Sequence, residues 1–209
     1  MAVVTGLHVL IDPDRIPAAR LPAFIREVAD AGASVIQVRA KAASTRSALA
    51  YLTAAKRAMN GALTLVVNDR VDWALAVDAD GVHLGQDDLP LDIARRLGPH
   101  LILGASVGNR VELDRVLPER PDYLGVGPIF ATPSKADAGA PIGVEGLRAL
   151  MAEIPPGMPV IAIGGITPDN AGAVWAVGVQ GLAGIDAVGG AQDPGRAVAA
   201  LLERRGVRG

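Results

Sequence analysis

The chain of 209 residues contains no cysteine. Disulfide bonds, cysteine-ligated zinc and thiol catalysis are therefore excluded, and the composition fits a reducing compartment. Aromatic residues make up only 3% of the sequence, and the formal net charge is -2. We therefore expect no nucleic-acid partner, because base stacking needs aromatic side chains and phosphate binding needs a basic surface.

Long apolar runs are also missing from the sequence. No window approaches 18 uninterrupted apolar residues, which predicts no membrane span. The first residues lack the basic segment and the apolar run of a signal peptide, so a cytoplasmic location is the expectation. Half of the residues are nevertheless apolar, which is typical of a globular protein with a sizeable core. Because the sequence contains no linker-like segment, we expect one domain over residues 1–209.

Short apolar runs alternate with longer amphipathic stretches. Helical spacing of apolar residues is clear at Leu21, Phe24, Ile25 and Val28. Repeated strand–helix units predict parallel strands covered by helices, and eight of them favour a single closed (β/α)8 TIM barrel. The alternative, an open doubly wound sheet, often carries a glycine fingerprint after its first strand, where this chain reads DPDR. The eight predicted strands are residues 6–12, 34–39, 64–68, 81–84, 101–106, 123–127, 159–164 and 181–186.

Polar residues recur at the ends of the predicted strands. Gln37, Arg39 and Lys41 alternate along the chain and so share one face of the second strand. Functional groups of a barrel emerge at the carboxyl ends of its strands, so we expect these three at the barrel mouth. Any one such residue also fits a solvated loop or a helix cap, but the repetition indicates a site. The other residues at strand ends are Asn68, Asp69, Asp88, Ser106, Thr132, Ser134, Lys135, Gly164 and Gly165.

The residue types at these ends suit a metal and a polyphosphate. Asp69 and Asp88 follow neighbouring strands and offer the carboxylate oxygens that Mg²⁺ takes together with water and phosphate. Arg39, Lys41 and Lys135 suit phosphate oxygens. The sequence therefore predicts a magnesium–polyphosphate corner.

A second anion corner is predicted after the seventh strand. Gly164 and Gly165 allow backbone N–H groups to approach an anion closely. Barrel enzymes often bind phosphate near the seventh and eighth strands. Thr132 and Ser134 add hydroxyl donors, so we expect a monophosphate at this corner.

The stretch GASVG around Ser106 matches the G-x-S-x-G pattern of serine hydrolases. In those enzymes the acid and the histidine follow the serine, whereas His8, His83 and His100 all precede Ser106. We therefore expect Ser106 to donate a hydrogen bond rather than to act as a nucleophile. His83 is expected to be a packed core or rim histidine and not a base.

Five segments carry a likeness to a known family. They read VIQVRAK, VVNDRVDWALAVDADGVHLGQDDLP, LGASVG, GPIFATPSKADAGAPIGVEGL and VIAIGGITPDN, in this order over residues 35–170. Together they resemble the thiamine-phosphate synthase family. The resemblance implies a TIM-barrel transferase of thiamine biosynthesis. It would join 4-amino-2-methyl-5-(diphosphooxymethyl)pyrimidine to thiazole phosphate, plain or carboxylated, and release pyrophosphate, with CO₂ as well when the thiazole is carboxylated.

The resemblance also implies roles for individual residues. Mg²⁺ would be bound by Asp69 and Asp88. Arg39, Lys41, Ser106 and Lys135 would be catalytic and aid the departure of pyrophosphate. The residues implied to hold the pyrimidine diphosphate are Gln37, Arg39, Lys41, Asn68, Ser106 and Lys135. Those implied to hold the thiazole phosphate are Thr132, Ser134, Gly165, Ile185 and Asp186.

Asp186 departs from the family, which usually has a serine after the eighth strand. A carboxylate there repels a phosphate dianion unless it is protonated, paired or turned away, and Arg196 is one candidate partner. Asp186 therefore keeps a non-catalytic binding or regulatory barrel open as an alternative, and a related thiazole tautomerase, which does no coupling, is a second one. A phosphosugar isomerase is least favoured, because no proton-shuttling base is evident. The oligomeric state is also open, with a homodimer as one alternative.

Overall fold

A computed structural model describes residues 4–132 and 139–206. Eight parallel strands follow one another around a closed barrel, each hydrogen-bonded to the next, and β8 pairs with β1. The predicted (β/α)8 TIM barrel is thereby confirmed. The strands are β1 (Gly6–Ile11), β2 (Ala33–Val38), β3 (Thr64–Asn68), β4 (Gly81–Leu84), β5 (Ile102–Val107), β6 (Tyr123–Val126), β7 (Val160–Ile163) and β8 (Gly181–Gly184).

Helices cover the outside of the barrel. Within the described residues they are α1 (Leu21–Asp30), α2 (Thr45–Met59), α3 (Val71–Ala76), α4 (Leu91–Leu97), α5 (Arg110–Val116), α6 (Gly143–Glu153), α7 (Ala171–Trp175), α8 (Asp186–Gly189) and α9 (Pro194–Glu203). The short α8 after β8 was not predicted from the sequence. It consists of a single turn at the barrel mouth and brings Asp186 to its first position.

Two apolar clusters hold the barrel together. The larger lies between the strands and the helices, where Phe24 and Leu52 are fully buried. Each such side chain contributes roughly 1.5–3 kcal/mol of transfer free energy. The smaller cluster fills the barrel interior with Leu10, Tyr123 and Ile161. Because inward and outward side chains alternate along every strand, this packing fixes which polar residues reach the mouth.

None of the helices in residues 4–132 and 139–206 has the length and apolar character needed to cross a membrane.

Candidate active site

A cavity of about 1100 Å³ opens at the carboxyl ends of the strands. It is the position at which barrel enzymes carry their active sites. Ser134 and Lys135, both predicted site residues, lie outside the described residues. The predicted site residues that line the cavity are Gln37, Arg39, Lys41, Asn68, Asp69, Asp88, Ser106, Thr132, Gly164, Gly165, Ile185 and Asp186.

The second strand aims its polar residues into this cavity. Gln37 is buried within β2, only 4% exposed, and lies on the cavity wall. Its neighbours Ile36 and Val38 are buried in the cluster beneath the helices. Arg39 and Lys41 follow β2 and line the same cavity, and the backbone N–H of Arg39 donates to the carbonyl of Ile11 at 2.8 Å. The alternation seen in the sequence is thus realised as a shared inward face.

Asp69 and Asp88 meet beside Lys41. The ammonium of Lys41 lies 3.4 Å from Oδ2 of Asp69. Burial raises the pKa of Asp69, and so do the charge of Asp88 and a hydrogen bond with it, whereas Lys41 lowers it. Asp88 is held in place because its Oδ2 accepts the N–H of Gly85 at 2.7 Å. The corner therefore contains two carboxylates that repel each other and one adjacent cation.

The backbone at Asp69 adopts the left-handed region, with φ 65°. Aspartate tolerates this conformation better than most residues, but it still costs free energy. The backbone N–H of Asp69 donates to the carbonyl of His83 at 2.8 Å, which continues the β3–β4 ladder beyond Asn68. Strained residues of this kind cluster at functional sites.

The carboxylate pair has the oxygen ligands that suit a hard divalent cation such as Mg²⁺. Among residues 4–132 and 139–206, no group of three or more His, Cys, Asp or Glu residues is arranged to hold a metal. Mg²⁺ does not need one, because it is commonly bound through one or two carboxylates while phosphate oxygens and water complete its shell. Asp69 and Asp88 have this composition, and their mutual repulsion would be relieved by a cation between them.

The loops after β6 and β7 pack closely against each other at the second predicted anion corner. The N–H of Phe130 donates to the carbonyl of Gly164 at 2.9 Å. A Cβ atom at Gly165 would lie 2.5 Å from the carbonyl oxygen of Ala131, and its φ is 62°. Glycine is therefore required there both by space and by backbone conformation. This packing brings Gly165 and Thr132 to the same cavity wall.

Asp186 forms an ion pair with Arg15, which follows β1. The sequence offers Arg196 as a candidate partner, whereas a cation found beside this carboxylate among the described residues is Arg15. Asp186 still lines the cavity. A neighbouring guanidinium partly balances its charge there, so this carboxylate does not face a phosphate alone.

Ser106 has a histidine partner that chain order did not suggest. Nε2 of His83 lies 3.0 Å from Oγ of Ser106, and Nδ1 of His83 lies 3.0 Å from the hydroxyl of Tyr123. The side-chain N–H of Gln86 donates to the carbonyl of Ser106 at 2.7 Å. The sequence predicts only a packed histidine at position 83, and Tyr123 is not among the predicted site residues. Both residues line the cavity.

Two buried aromatic rings form the floor beneath these groups. Tyr123 is 1% exposed, and burial raises the pKa of its phenol well above its ordinary value. His8 packs edge-on against Tyr123, with ring centroids 5.5 Å apart. Burial lowers the pKa of His8 to about 4, although the hydrogen bond from Nε2 to the carbonyl of Val4 opposes this shift. Both rings are therefore uncharged at neutral pH.

Comparisons with known proteins agree on one family. Residues 7–188 match the family model described as "Thiamine monophosphate synthase". The chain is 48% identical to the thiamine-phosphate synthase of Moorella thermoacetica over 182 residues, 86% of each chain. It is 50% identical to that of Chloroflexus aurantiacus over 166 residues, 78% of this chain and 74% of the relative.

A solved structure supports the same assignment. The thiamine phosphate pyrophosphorylase from Pyrococcus furiosus superposes with a TM-score of 0.86 at 39% identity, covering 96% of this chain and 95% of its own. The resemblance found in the sequence is thereby confirmed. The chain belongs to the thiamine monophosphate synthase family.

Proposed function

We propose that the barrel couples 4-amino-2-methyl-5-(diphosphooxymethyl)pyrimidine to thiazole phosphate, giving thiamine phosphate and pyrophosphate. The observation that carries the proposal is the Asp69–Asp88 carboxylate pair beside Lys41, in one cavity with Arg39. This combination suits a reaction in which a diphosphate departs and negative charge grows on it. The activity of the relatives, named thiamine-phosphate synthases, is the same.

The reaction needs charge stabilisation more than it needs a protein nucleophile. The bond between the methylene carbon and the diphosphate oxygen breaks, and its electron pair leaves with pyrophosphate. The electron-rich aminopyrimidine tolerates the resulting methylene cation. The thiazole nitrogen then supplies a lone pair for the new carbon–nitrogen bond. Arg39, Lys41 and Lys135 stabilise the growing negative charge on pyrophosphate.

Asp69 and Asp88 are the proposed ligands of Mg²⁺. When bound, the ion would offset negative charge on the diphosphate. Gln37, Asn68 and Ser106 supply an amide side chain, a second amide and a hydroxyl to orient the pyrimidine diphosphate. Orientation of this kind lowers the entropic cost of bringing two substrates together.

The thiazole phosphate is assigned to the corner formed by the loops after β6, β7 and β8. Thr132, Gly165 and Ile185 line the cavity there, and Ser134 belongs to the same loop in sequence. Asp186 borders the corner with its charge partly balanced by Arg15. A cytoplasmic location and a homodimer stay predictions from the sequence.

The alternatives gain less support from the residues in the cavity. A tautomerase isomerises the thiazole without a diphosphate substrate, so it has no use for Asp69 and Asp88. Asp186 was the feature in favour of a non-catalytic barrel, and its ion pair with Arg15 weakens that argument.

The test is a coupling assay on purified protein. Pyrimidine diphosphate, thiazole phosphate and Mg²⁺ are supplied, and thiamine phosphate is detected after oxidation to its fluorescent thiochrome form. We expect turnover that disappears with EDTA and in Asp69→Ala. Saturable binding of either substrate without turnover would instead favour the tautomerase or the binding barrel.

A further inference from the structure

Three polar side chains meet inside the barrel because two glycines leave room for them. Gly104 is the register partner of both His83 on β4 and Tyr123 on β6. A Cβ atom at Gly104 would lie 2.1 Å from Cζ of Tyr123, and one at Gly125 would lie 2.8 Å from Cε1 of His83. These spaces allow Tyr123 to reach across β5 to His83, and His83 to reach Ser106.

The burial of Tyr123 fixes the direction of the first hydrogen bond. Within the described part of the chain, the partner given for its hydroxyl is Nδ1 of His83, at 3.0 Å. A buried O–H that only accepted would leave its hydrogen unsatisfied, which is costly. The phenol therefore donates to Nδ1, and Nδ1 carries no hydrogen.

The second hydrogen bond then follows from the first. A neutral imidazole without a hydrogen on Nδ1 carries it on Nε2. Nε2–H of His83 therefore donates to Oγ of Ser106 across 3.0 Å. Because Oγ accepts this bond, the hydrogen of Ser106 is directed to another acceptor. Ser106 is partly exposed on the cavity wall, so that acceptor can belong to a bound ligand.

We propose that Tyr123 and His83 are positioning residues that make Ser106 a hydrogen-bond donor toward an acceptor atom of the bound pyrimidine diphosphate. The identity of this ligand rests on the proposed function. This direction of the hydrogen bonds also prevents Ser106 from acting as a nucleophile. Ser106 lies in a G-x-S-x-G sequence and contacts a histidine, but that histidine cannot act as its base. In a serine hydrolase the histidine nitrogen next to the serine must accept its proton, and here that nitrogen already carries one.

The first test is the tautomer of His83, measured by long-range ¹H–¹⁵N NMR at pH 8 without substrate. The chain has three histidines, and the variant His100→Gln identifies the exposed one. His8 is an internal reference, because its Nε2 bonds to a carbonyl, which only accepts. We expect His83 to carry its hydrogen on Nε2 and Tyr123→Phe to shift it toward a mixture. A hydrogen on Nδ1 of His83 in the unmodified protein would overturn the proposal.

The second test is kinetic and uses Tyr123→Phe, Ser106→Ala and the double variant. Loss of one oriented neutral hydrogen bond should lower kcat/KM by about three- to tenfold. We expect Tyr123→Phe to cause no further loss in the Ser106→Ala background, because both changes remove the same interaction. Additive losses would indicate a merely structural role for Tyr123 and contradict the proposal.

A third measurement needs no variant. A fluorophosphonate probe reacts with activated serines, and we expect it to leave Ser106 unmodified, whereas labelling of Ser106 would overturn the proposal. Failure of the proposed function can be told apart from failure of this inference. A protein with the expected tautomer but no coupling activity would contradict the synthase assignment and still support the hydrogen-bond polarity.

Discussion

Arg15 and Asp186 form an ion pair at the barrel mouth, although they lie near opposite ends of the sequence. They meet because β1 and β8 are hydrogen-bonded neighbours in the closed barrel. Their side chains are 40% and 44% exposed, so the interaction is worth no more than about 1 kcal/mol. The pair nevertheless places a cation beside the carboxylate that borders the corner proposed for thiazole phosphate.

We predict that Asp186→Ser lowers the KM for thiazole phosphate about twofold, because it removes a negative charge that Arg15 only partly balances. Arg15→Gln should raise this KM by about two- to fivefold, since it leaves Asp186 without that cation. Both values come from steady-state kinetics with the pyrimidine diphosphate at saturation.

The double variant Arg15→Gln/Asp186→Ser is the control for this interpretation. Its KM should return to that of Asp186→Ser alone, because Arg15 acts by balancing Asp186. If Arg15→Gln raised the KM equally in both backgrounds, Arg15 would instead contact the phosphate itself.

Asp69 is expected to lower the unfolding free energy of the protein at neutral pH. Its pKa is raised by burial and by Asp88, so the folded state favours its protonated form. Its contribution to the unfolding free energy is therefore lost as pH rises through the folded pKa. Asp69→Asn should increase the unfolding free energy at pH 7 by about 1 kcal/mol, measured by urea titration without Mg²⁺, and the gain should vanish in acid.

Asp72→Asn is the matched control on the adjacent segment. The hydrogen bond with Arg70 lowers the pKa of Asp72, so its contribution is present at neutral pH and lost as pH falls. This carboxylate is 61% exposed, and the substitution should cost no more than about 1 kcal/mol at pH 7. A loss of stability in Asp69→Asn as well would contradict the argument from charge repulsion.

The strand pattern made the barrel and much of its rim predictable. β3 and β4 begin and end at the predicted residues, because each is a short apolar run bounded by polar residues or glycine. The inward direction of Gln37 could be predicted from its spacing of two residues from Arg39 and of four from Lys41. α1 begins at Leu21, the first residue of the helical spacing, and a turn in which the N–H of Ile16 donates to the carbonyl of Asp12 precedes it.

Contacts across the barrel could not be predicted in the same way. The hydrogen bonds joining His83, Ser106 and Tyr123 depend on strand register and on the space left by Gly104. The pairing of Arg15 with Asp186 depends on barrel closure. Gly104 in LGASVG and Gly125 in YLGVG were a signal of space for large neighbours, but a sequence does not say which side chains fill it.

Acid should lower the unfolding free energy of the protein because of His8. Its pKa falls from 6.5 to about 4 on folding, because the ring is buried. Between these values the unfolded chain binds a proton that the folded chain does not, so the unfolding free energy decreases as pH falls. The shift corresponds to about 3 kcal/mol between neutral pH and pH 4. Urea titrations from pH 7.5 to 4.5 should show this slope.

His8→Gln should flatten that pH dependence while keeping a donor for the carbonyl of Val4. His100→Gln, at an exposed position, serves as the control and should leave the slope unchanged. An equally steep slope in His8→Gln would assign the acid sensitivity to other groups.

Gly165→Ala should disrupt the corner assigned to thiazole phosphate. The new Cβ would lie 2.5 Å from the carbonyl oxygen of Ala131 and 2.8 Å from Cβ of Phe130. The left-handed backbone alone costs roughly 1–2 kcal/mol for a residue with a side chain. We expect a lower melting temperature, and a KM that rises for thiazole phosphate more than for the pyrimidine diphosphate, because the loops after β6 and β7 must separate.

Gly172→Ala is the matched control, because it lies in α7 with open space around its Cβ position. There the substitution favours the helix and should stabilise the protein by about 0.5–1 kcal/mol without changing either KM. Equal effects of Gly165→Ala on both KM values would contradict the assignment, since a local distortion at β7 should spare the Asp69–Asp88 corner on the other side of the barrel.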